Sequence, residues 1–115
     1  MANWSSNVKR ILVAGGGLIG IRHVKAVQEN PNCELVGLAD PDMSIQLDVP
    51  RYNAIQNVDC SVDAIIIATP THLHTAHGTE AIKRGWHMLI EKPVAGTLQD
   101  ARALQALLAN SASRS

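Results

Sequence analysis

Residues 15–20, with the sequence GGGLIG, fit the pattern G-x-G-x-x-G. They follow a short apolar run, residues 11–14 (ILVA), which is typical of a buried strand. In such a turn Gly15 permits the tight bend, Gly17 lets the backbone approach a pyrophosphate, and Gly20 lets the helix pack closely on the strand. The pattern alone is weak, but its place between a strand and a helix predicts a dinucleotide-binding turn.

The helix that follows this turn begins at Leu18 and Ile19. The first N–H groups of a helix have no acceptor within it, and the helix dipole adds a partial positive charge at that end. Phosphate oxygens bind readily at such a terminus. Leu18 and Ile19 are therefore predicted, together with the three glycines, to bind the pyrophosphate.

Asp40 ends a second apolar run, residues 33–39 (CELVGLA), and lies 20 residues beyond Gly20. A carboxylate at this place can accept hydrogen bonds from the adenosine ribose hydroxyls, as in NAD binding. It would repel the 2′-phosphate of NADP, and Asp42 adds a second negative charge. NAD is therefore the predicted cofactor, with NADP less favoured. The alternative role is structural, as a turn aspartate before Pro41.

Three histidines, His72, His74 and His77, form the pattern H-x-H-x-x-H after a strand. This spacing is similar to the zinc site of metallo-β-lactamase-like hydrolases, but Ala76 stands where that motif has an aspartate. No metal is predicted. The plainer interpretation is a helix start at the carboxyl edge of a sheet, where doubly wound folds bind ligands. The histidines are otherwise surface polar residues.

The elements that must position these residues alternate along the chain. We predict strands at 8–14, 33–39, 64–69 and 87–91, an edge strand at 49–52, and helices at 18–29, 71–84 and 97–109. Residues 53–60 are expected to form a loop or a single helical turn. This alternation predicts an α/β fold with a doubly wound, mainly parallel, Rossmann-like sheet. Because only eight residues separate Asp40 from Val49, the connection after the second strand is shortened, and the third strand is absent, short or differently placed.

Length and composition limit the organisation and the partners. The 115 residues are divided into a disordered lead (1–7), a dinucleotide-binding domain (8–109) and a frayed tail (110–115). A 46% apolar and 17% charged composition predicts a soluble globular protein. Zero net charge without a basic stripe argues against nucleic acid, and no run reaches the roughly 18 apolar residues of a membrane span. Cys33 and Cys60 are expected to be reduced thiols in a cytoplasmic protein.

Three segments together resemble one family: GGGLIG, ATPTHLH (68–74) and EKPV (91–94). From about Val8 to Leu108 the chain is similar to the N-terminal domain of the Gfo/Idh/MocA oxidoreductases. The resemblance implies an NAD(P)-dependent oxidoreductase acting on a sugar, polyol or similar hydroxyl compound, with Lys92 catalytic beside the nicotinamide and the substrate. Without the resemblance, Lys92 could equally be a solvated loop lysine. Further contacts along the cofactor are implied for Thr69, Pro70, His74, Glu91, Lys92 and Pro93.

Family members continue into a larger substrate domain, which supplies the dimer sheet and further active-site residues. We expect this chain to be a truncated cofactor domain that is inactive alone and meets a small-molecule substrate only if that domain is supplied. The apolar surface left uncovered predicts a homo-oligomer. Two alternatives to an oxidoreductase cofactor domain stay open at this point: a non-catalytic dinucleotide-binding module, and a remnant that no longer binds nucleotide.

Overall fold

The chain folds around one sheet of five parallel strands, with its helices on both sides. A computed structural model describes residues 8–91. The strand order in the sheet is 3-2-1-4-5 by position along the chain, and every neighbouring pair is parallel. The elements, in chain order, are β1 Lys9–Ala14, α1 Leu18–Glu29, β2 Cys33–Ala39, β3 Arg51–Tyr52, a 3-10 turn Ile55–Asn57, β4 Ala64–Ile67, a second 3-10 turn Thr71–Leu73, α2 His74–Arg84 and β5 His87–Ile90.

The central strand β1 is buried on both faces, and its side chains alternate between two cores. Leu12 and Ala14 belong to the core that includes Ala81 of α2. The intervening side chains, Ile11 and Val13, pack with α1 in the other core. Successive side chains of a strand point to opposite faces, so α1 and α2 cover opposite sides of the sheet. The predicted doubly wound α/β fold is confirmed.

The helix boundaries follow from local sequence. The predicted bounds of α1 are confirmed: the helix ends at Glu29, and Asn30, which precedes Pro31, is its extended C-cap residue. Gly85 ends α2 in the left-handed conformation, with φ of 73°, and its N–H donates to the carbonyl oxygens of Ala81 and Ile82. The predicted second helix from Thr71 is shorter at its start, because a 3-10 turn occupies the first three positions.

The connection from β2 to β3 differs most from an ordinary crossover. Residues 41–50 are described throughout and contain no helix. The predicted edge strand at 49–52 is reduced to β3, where Arg51 pairs with Leu38 and Tyr52 with Ala39. Pro50 lacks the N–H that would extend the ladder, although its carbonyl still accepts a bond from the Leu38 amide. The third strand is thus present, short and at the sheet edge.

Several predicted segments lie outside the described residues. These are the lead (1–7), the last helix (97–109), the tail (110–115), and the two site residues Lys92 and Pro93. Within residues 8–91, no helix combines the length and the apolar character that crossing a membrane requires.

Candidate functional site

The glycine turn between β1 and α1 packs tightly against the end of β4. Gly15 has φ of 105°, where side chains are strained, and a Cβ there would lie 2.6 Å from the Ala68 carbonyl oxygen. A Cβ on Gly20 would overlap the carbonyl oxygen of Gly15. Glycine at these two positions therefore allows α1 to begin directly at the carboxyl end of β1.

The N-terminus of α1 is open. Gly17 is its N-cap residue, no side chain caps the helix, and the first turn has no acidic residue. A Cβ on Gly17 would meet nothing within 4 Å, and Leu18 and Ile19 are 71% and 43% exposed. The terminal N–H groups and the helix dipole are thus presented to a space in which a phosphate can approach the backbone.

The Asp40 carboxylate joins the glycine turn to the loop after β2. Its Oδ2 accepts a hydrogen bond of 2.7 Å from the Gly16 amide, and its Oδ1 accepts one of 2.7 Å from the Asp42 amide. The bond to the Asp42 amide closes the turn after β2, which is the structural role given above as the alternative for Asp40. Each carboxylate oxygen has two lone pairs, so Asp40 can hold the turn and still accept a ribose hydroxyl.

A pocket of about 430 Å³ opens beside Asp40 at the carboxyl edge of the sheet. A mostly apolar lining with few polar groups suits a flat heteroaromatic ring such as adenine. The lining comes from the end of β2, the segment after β3, the end of β4 and the start of α2. It comprises residues 39–41 and 53–55 with Thr69, Pro70, Leu73 and His77.

Thr69 connects the pocket to α2 through two histidines. Its hydroxyl lies 2.9 Å from Nδ1 of His77, which lines the pocket. His74 is almost fully buried, and its Nε2 donates a 2.8 Å bond to the Thr69 carbonyl oxygen. The structure therefore brings Thr69 and Pro70 to the pocket, whereas His74 lies behind Thr69 and outside the lining.

The three histidines of the H-x-H-x-x-H pattern do not converge. His72 is exposed, His74 is buried, and His77 faces the pocket. In the described part of the chain, no three His, Cys, Asp or Glu side chains are grouped to hold a metal ion. The pattern is explained by the path of the chain from β4 into α2.

Several pocket residues carry no signal in the sequence that marks them as part of a site. His77 stands out in the sequence only through the histidine pattern, although it lies one helical turn after His74 and reaches the hydroxyl of Thr69. The sequence predicts a loop or a single helical turn over residues 53–60; a 3-10 turn forms at Ile55–Asn57, and residues 53–55 form one wall of the pocket. Nothing in their local pattern indicated this, because the wall exists only once β3 pairs with β2.

Glu91 lies at the same edge, directly after β5. Its amide donates to the Ile67 carbonyl oxygen at 3.0 Å, which fixes the backbone beside the end of β4. Its carboxylate contacts Nε2 of His23 on α1. Lys92 follows Glu91 along the chain, so the predicted EKP segment begins at the carboxyl edge of the sheet.

Burial lowers the pKa of His77 below its ordinary value of 6.5, and the charge of the nearby His74 lowers it further. The unfolded chain then binds a proton more readily than the folded one, so His77 makes stability rise with pH. The contribution of His77 to the free energy of unfolding is complete above pH 6.5 and is lost as the pH falls from there through the lowered pKa of the folded state. We expect His77→Gln to flatten the loss of stability below pH 6.5, measured by urea unfolding at several pH values.

His72→Gln is the matched control, because it removes an exposed imidazole from the same segment. Its stability profile should follow that of the unchanged chain. An unchanged slope in the His77 variant would contradict the burial of a neutral imidazole at the pocket.

The glycine turn, Asp40 and the pocket form the arrangement expected of a dinucleotide site, and a family comparison agrees. The model of the Gfo/Idh/MocA oxidoreductase family, described as an NAD-binding Rossmann fold, matches residues 9–114. The chain belongs to this family. The resemblance carried by GGGLIG, ATPTHLH and EKPV is confirmed, and the chain is an NAD-binding Rossmann domain of that family.

Curated relatives of this family member include sugar and inositol dehydrogenases. Glucose-6-phosphate 3-dehydrogenase of Bacillus subtilis is 32% identical over 85% of this chain. Inositol 2-dehydrogenase 1 of Saccharopolyspora erythraea is 29% identical over 79% of it. The chain covers 30% of each of these two proteins. It therefore spans less than a third of the length of these relatives.

Solved structures share the fold. The myo-inositol dehydrogenase of Corynebacterium glutamicum matches with a TM-score of 0.82 and 30% identity, over 90% of this chain and 33% of that one. The WlbA dehydrogenase of Chromobacterium violaceum, solved with NADH and UDP-GlcNAcA, has a TM-score of 0.89 over 98% of this chain and 35% of that one. At 20% identity the second likeness establishes the fold alone.

Proposed function

We propose that this family member binds NAD(H) in preference to NADP(H), with the adenosine in the pocket and the pyrophosphate at the glycine turn. The observation that carries the proposal is the Asp40 carboxylate, which borders the pocket and also bonds the Gly16 amide of the turn. A dinucleotide needs a pocket for its adenosine and a turn for its pyrophosphate close enough together for one molecule to reach both. The strand order places them where β1 separates β2 from β4, the usual crevice of a doubly wound sheet.

The preference for NAD rests on charge. Asp40 and Asp42 both lie at the loop that a 2′-phosphate on the adenosine ribose would approach. Hydrogen bonds from Ser44, first through its hydroxyl and then through its amide, lower the pKa of Asp42 and keep it ionised. Two carboxylates repel a phosphate, whereas Asp40 can accept bonds from free ribose hydroxyls.

The proposed activity of the whole protein is oxidation of a sugar- or polyol-like hydroxyl compound. Bound NAD would accept the hydride from the substrate carbon. Lys92, which follows Glu91 in the sequence, would accept the hydroxyl proton. The substrate class is supported by relatives named as glucose-6-phosphate and inositol dehydrogenases. A substrate domain would hold that compound against the nicotinamide, because hydride transfer needs the two reactants in a fixed orientation.

The family match favours this proposal over the non-catalytic module and the remnant. The homo-oligomer stays a prediction. The division of the chain into residues 1–7, 8–109 and 110–115 also stays a prediction. The contact of His74 with the cofactor stays a prediction as well.

A competition experiment tests where the nucleotide binds. ADP-ribose carries the adenosine and both phosphates without nicotinamide, and it should displace NADH from the 115-residue chain at an affinity within about tenfold of NADH. Nicotinamide mononucleotide should displace it only weakly, since it cannot occupy the pocket beside Asp40. Displacement by the mononucleotide alone would contradict the proposed placement.

A further inference from the structure

Arg51, the first residue of β3, holds the loop after β2 through its guanidinium group. Its Nε donates to the Leu38 carbonyl oxygen at 3.3 Å. Its Nη2 lies 3.0 Å from the Asp42 carbonyl oxygen and 3.5 Å from that of Asp40, and its Nη1 donates to the carbonyl of Ile45. All three nitrogens of one side chain are thus engaged by backbone carbonyls on both sides of Asp40.

The start of this loop is held by bonds of the Asp40 and Asp42 carboxylates to backbone amides, and Ile45, Leu47 and Val49 pack on the core. Residues 41–50 take the place of a crossover helix and therefore lack the hydrogen bonds that a helix would supply. A planar guanidinium with five N–H donors can bond several carbonyl oxygens together and so fix their relative positions. Arg51 thus ties the loop to the end of β2, which a crossover helix would otherwise do through its packing on the sheet.

The loop also touches the phosphate-binding turn. The side chain of Ile45 lies against Gly16, where a Cβ would overlap its terminal methyl. The same glycine donates its amide to Asp40 Oδ2. A shift of the loop would therefore move Ile45 away from the turn and change the direction of the Asp40 carboxylate at the same time.

We propose that Arg51 is a positioning residue for cofactor selection: it fixes the loop so that Asp40 meets the ribose hydroxyls and NAD is preferred. This inference rests on the proposed function. An arginine near the end of the second strand can instead serve NADP by binding its 2′-phosphate. Arg51 is not placed for that role, because its three nitrogens already face backbone carbonyls.

The first test compares two variants with a matched control. In Arg51→Met the NADH dissociation constant should rise by about tenfold, with a smaller change for NADPH, because Asp40 loses its ribose geometry. Arg51→Lys should behave like Arg51→Met, since an ammonium keeps the charge but not the planar fork. Arg10→Met is the control: Arg10 lies near the amino end of the central strand β1, away from the carboxyl ends that carry the site, and bonds the Ser61 carbonyl and Glu34, so selectivity should not change.

Two results of that titration would overturn the proposal. A greater loss of NADPH than of NADH affinity in Arg51→Met would make Arg51 a phosphate ligand. Full recovery of selectivity by Arg51→Lys would mean that charge, and not the forked contacts with the loop, is what matters.

A second readout needs no nucleotide. The amides of Gly16 and Asp42 both donate to Asp40, and their hydrogen exchange should accelerate by about tenfold in Arg51→Met and stay unchanged in Arg10→Met. Unchanged exchange in Arg51→Met would overturn the positioning role even if the unchanged chain binds NADH. Failure of the proposed function is distinct, because the unchanged chain would then bind neither nucleotide.

Discussion

Gly17→Ala is expected to weaken NADH binding by about tenfold while lowering the free energy of unfolding by no more than about 1 kcal/mol. The fold tolerates the methyl group, because a Cβ at Gly17 meets no atom within 4 Å and the backbone φ is −74°. The affinity falls because the methyl group occupies the space through which a phosphate approaches the helix terminus. Calorimetric titration and urea unfolding of the same preparation measure the two quantities.

Gly20→Ala is the matched comparison within the same turn. Its Cβ would overlap the Gly15 carbonyl oxygen, which is backbone and cannot move aside without displacing α1 from β1. We expect it to lower the free energy of unfolding by about 2–3 kcal/mol and to reduce binding as a consequence. Equal losses of stability in Gly17→Ala and Gly20→Ala would contradict the distinct roles assigned to the two glycines.

Asp40→Ala should reduce the affinity for NADH by about tenfold and reduce that for NADPH less. Part of the loss is common to both nucleotides, because the amides of Gly16 and Asp42 lose their acceptor. The remainder is specific to NADH, since removal of the carboxylate ends its bonds to the ribose hydroxyls and also ends its repulsion of a 2′-phosphate. Parallel titrations with the two nucleotides separate the common part from the specific part.

Asp42→Ala is the control for this experiment. Its side chain is exposed and bonded to Ser44, and its backbone amide still reaches Asp40 after the substitution. The affinity for NADH should therefore stay unchanged, while that for NADPH rises slightly. Equal effects of Asp40→Ala on the two nucleotides would remove Asp40 from the ribose.

Local pattern was enough to predict the elements that carry the turn. The apolar residues of α1 recur at helical spacing, and Val24 and Val27 are buried as that spacing requires. The bounds of β2 and the place of Asp40 at its end followed from one apolar run closed by a polar residue. The glycine turn was predictable because its pattern lies within a single strand–turn–helix unit, although the contact that requires glycine at position 15 comes from Ala68, beyond that unit.

The rest of the site depends on contacts between distant parts of the chain. Residues 53–55 become a pocket wall only when β3 pairs with the edge of β2. The burial of His74 and the exposure of His77 to the pocket depend on how α2 lies over β4, which spacing alone does not specify. The contacts of Arg51 likewise join residues up to 13 positions apart, and no local signal distinguishes it from a solvated arginine.

The most direct measurement of the central claim is calorimetric titration of the 115-residue chain with NADH and then with NADPH. The account predicts saturable binding of one NADH per chain and weaker binding of NADPH. Absence of binding by either nucleotide would mean that the domain has kept the fold and the motifs of its family but not the ligand. Tighter binding of NADPH than of NADH would contradict the role given to Asp40 and Asp42.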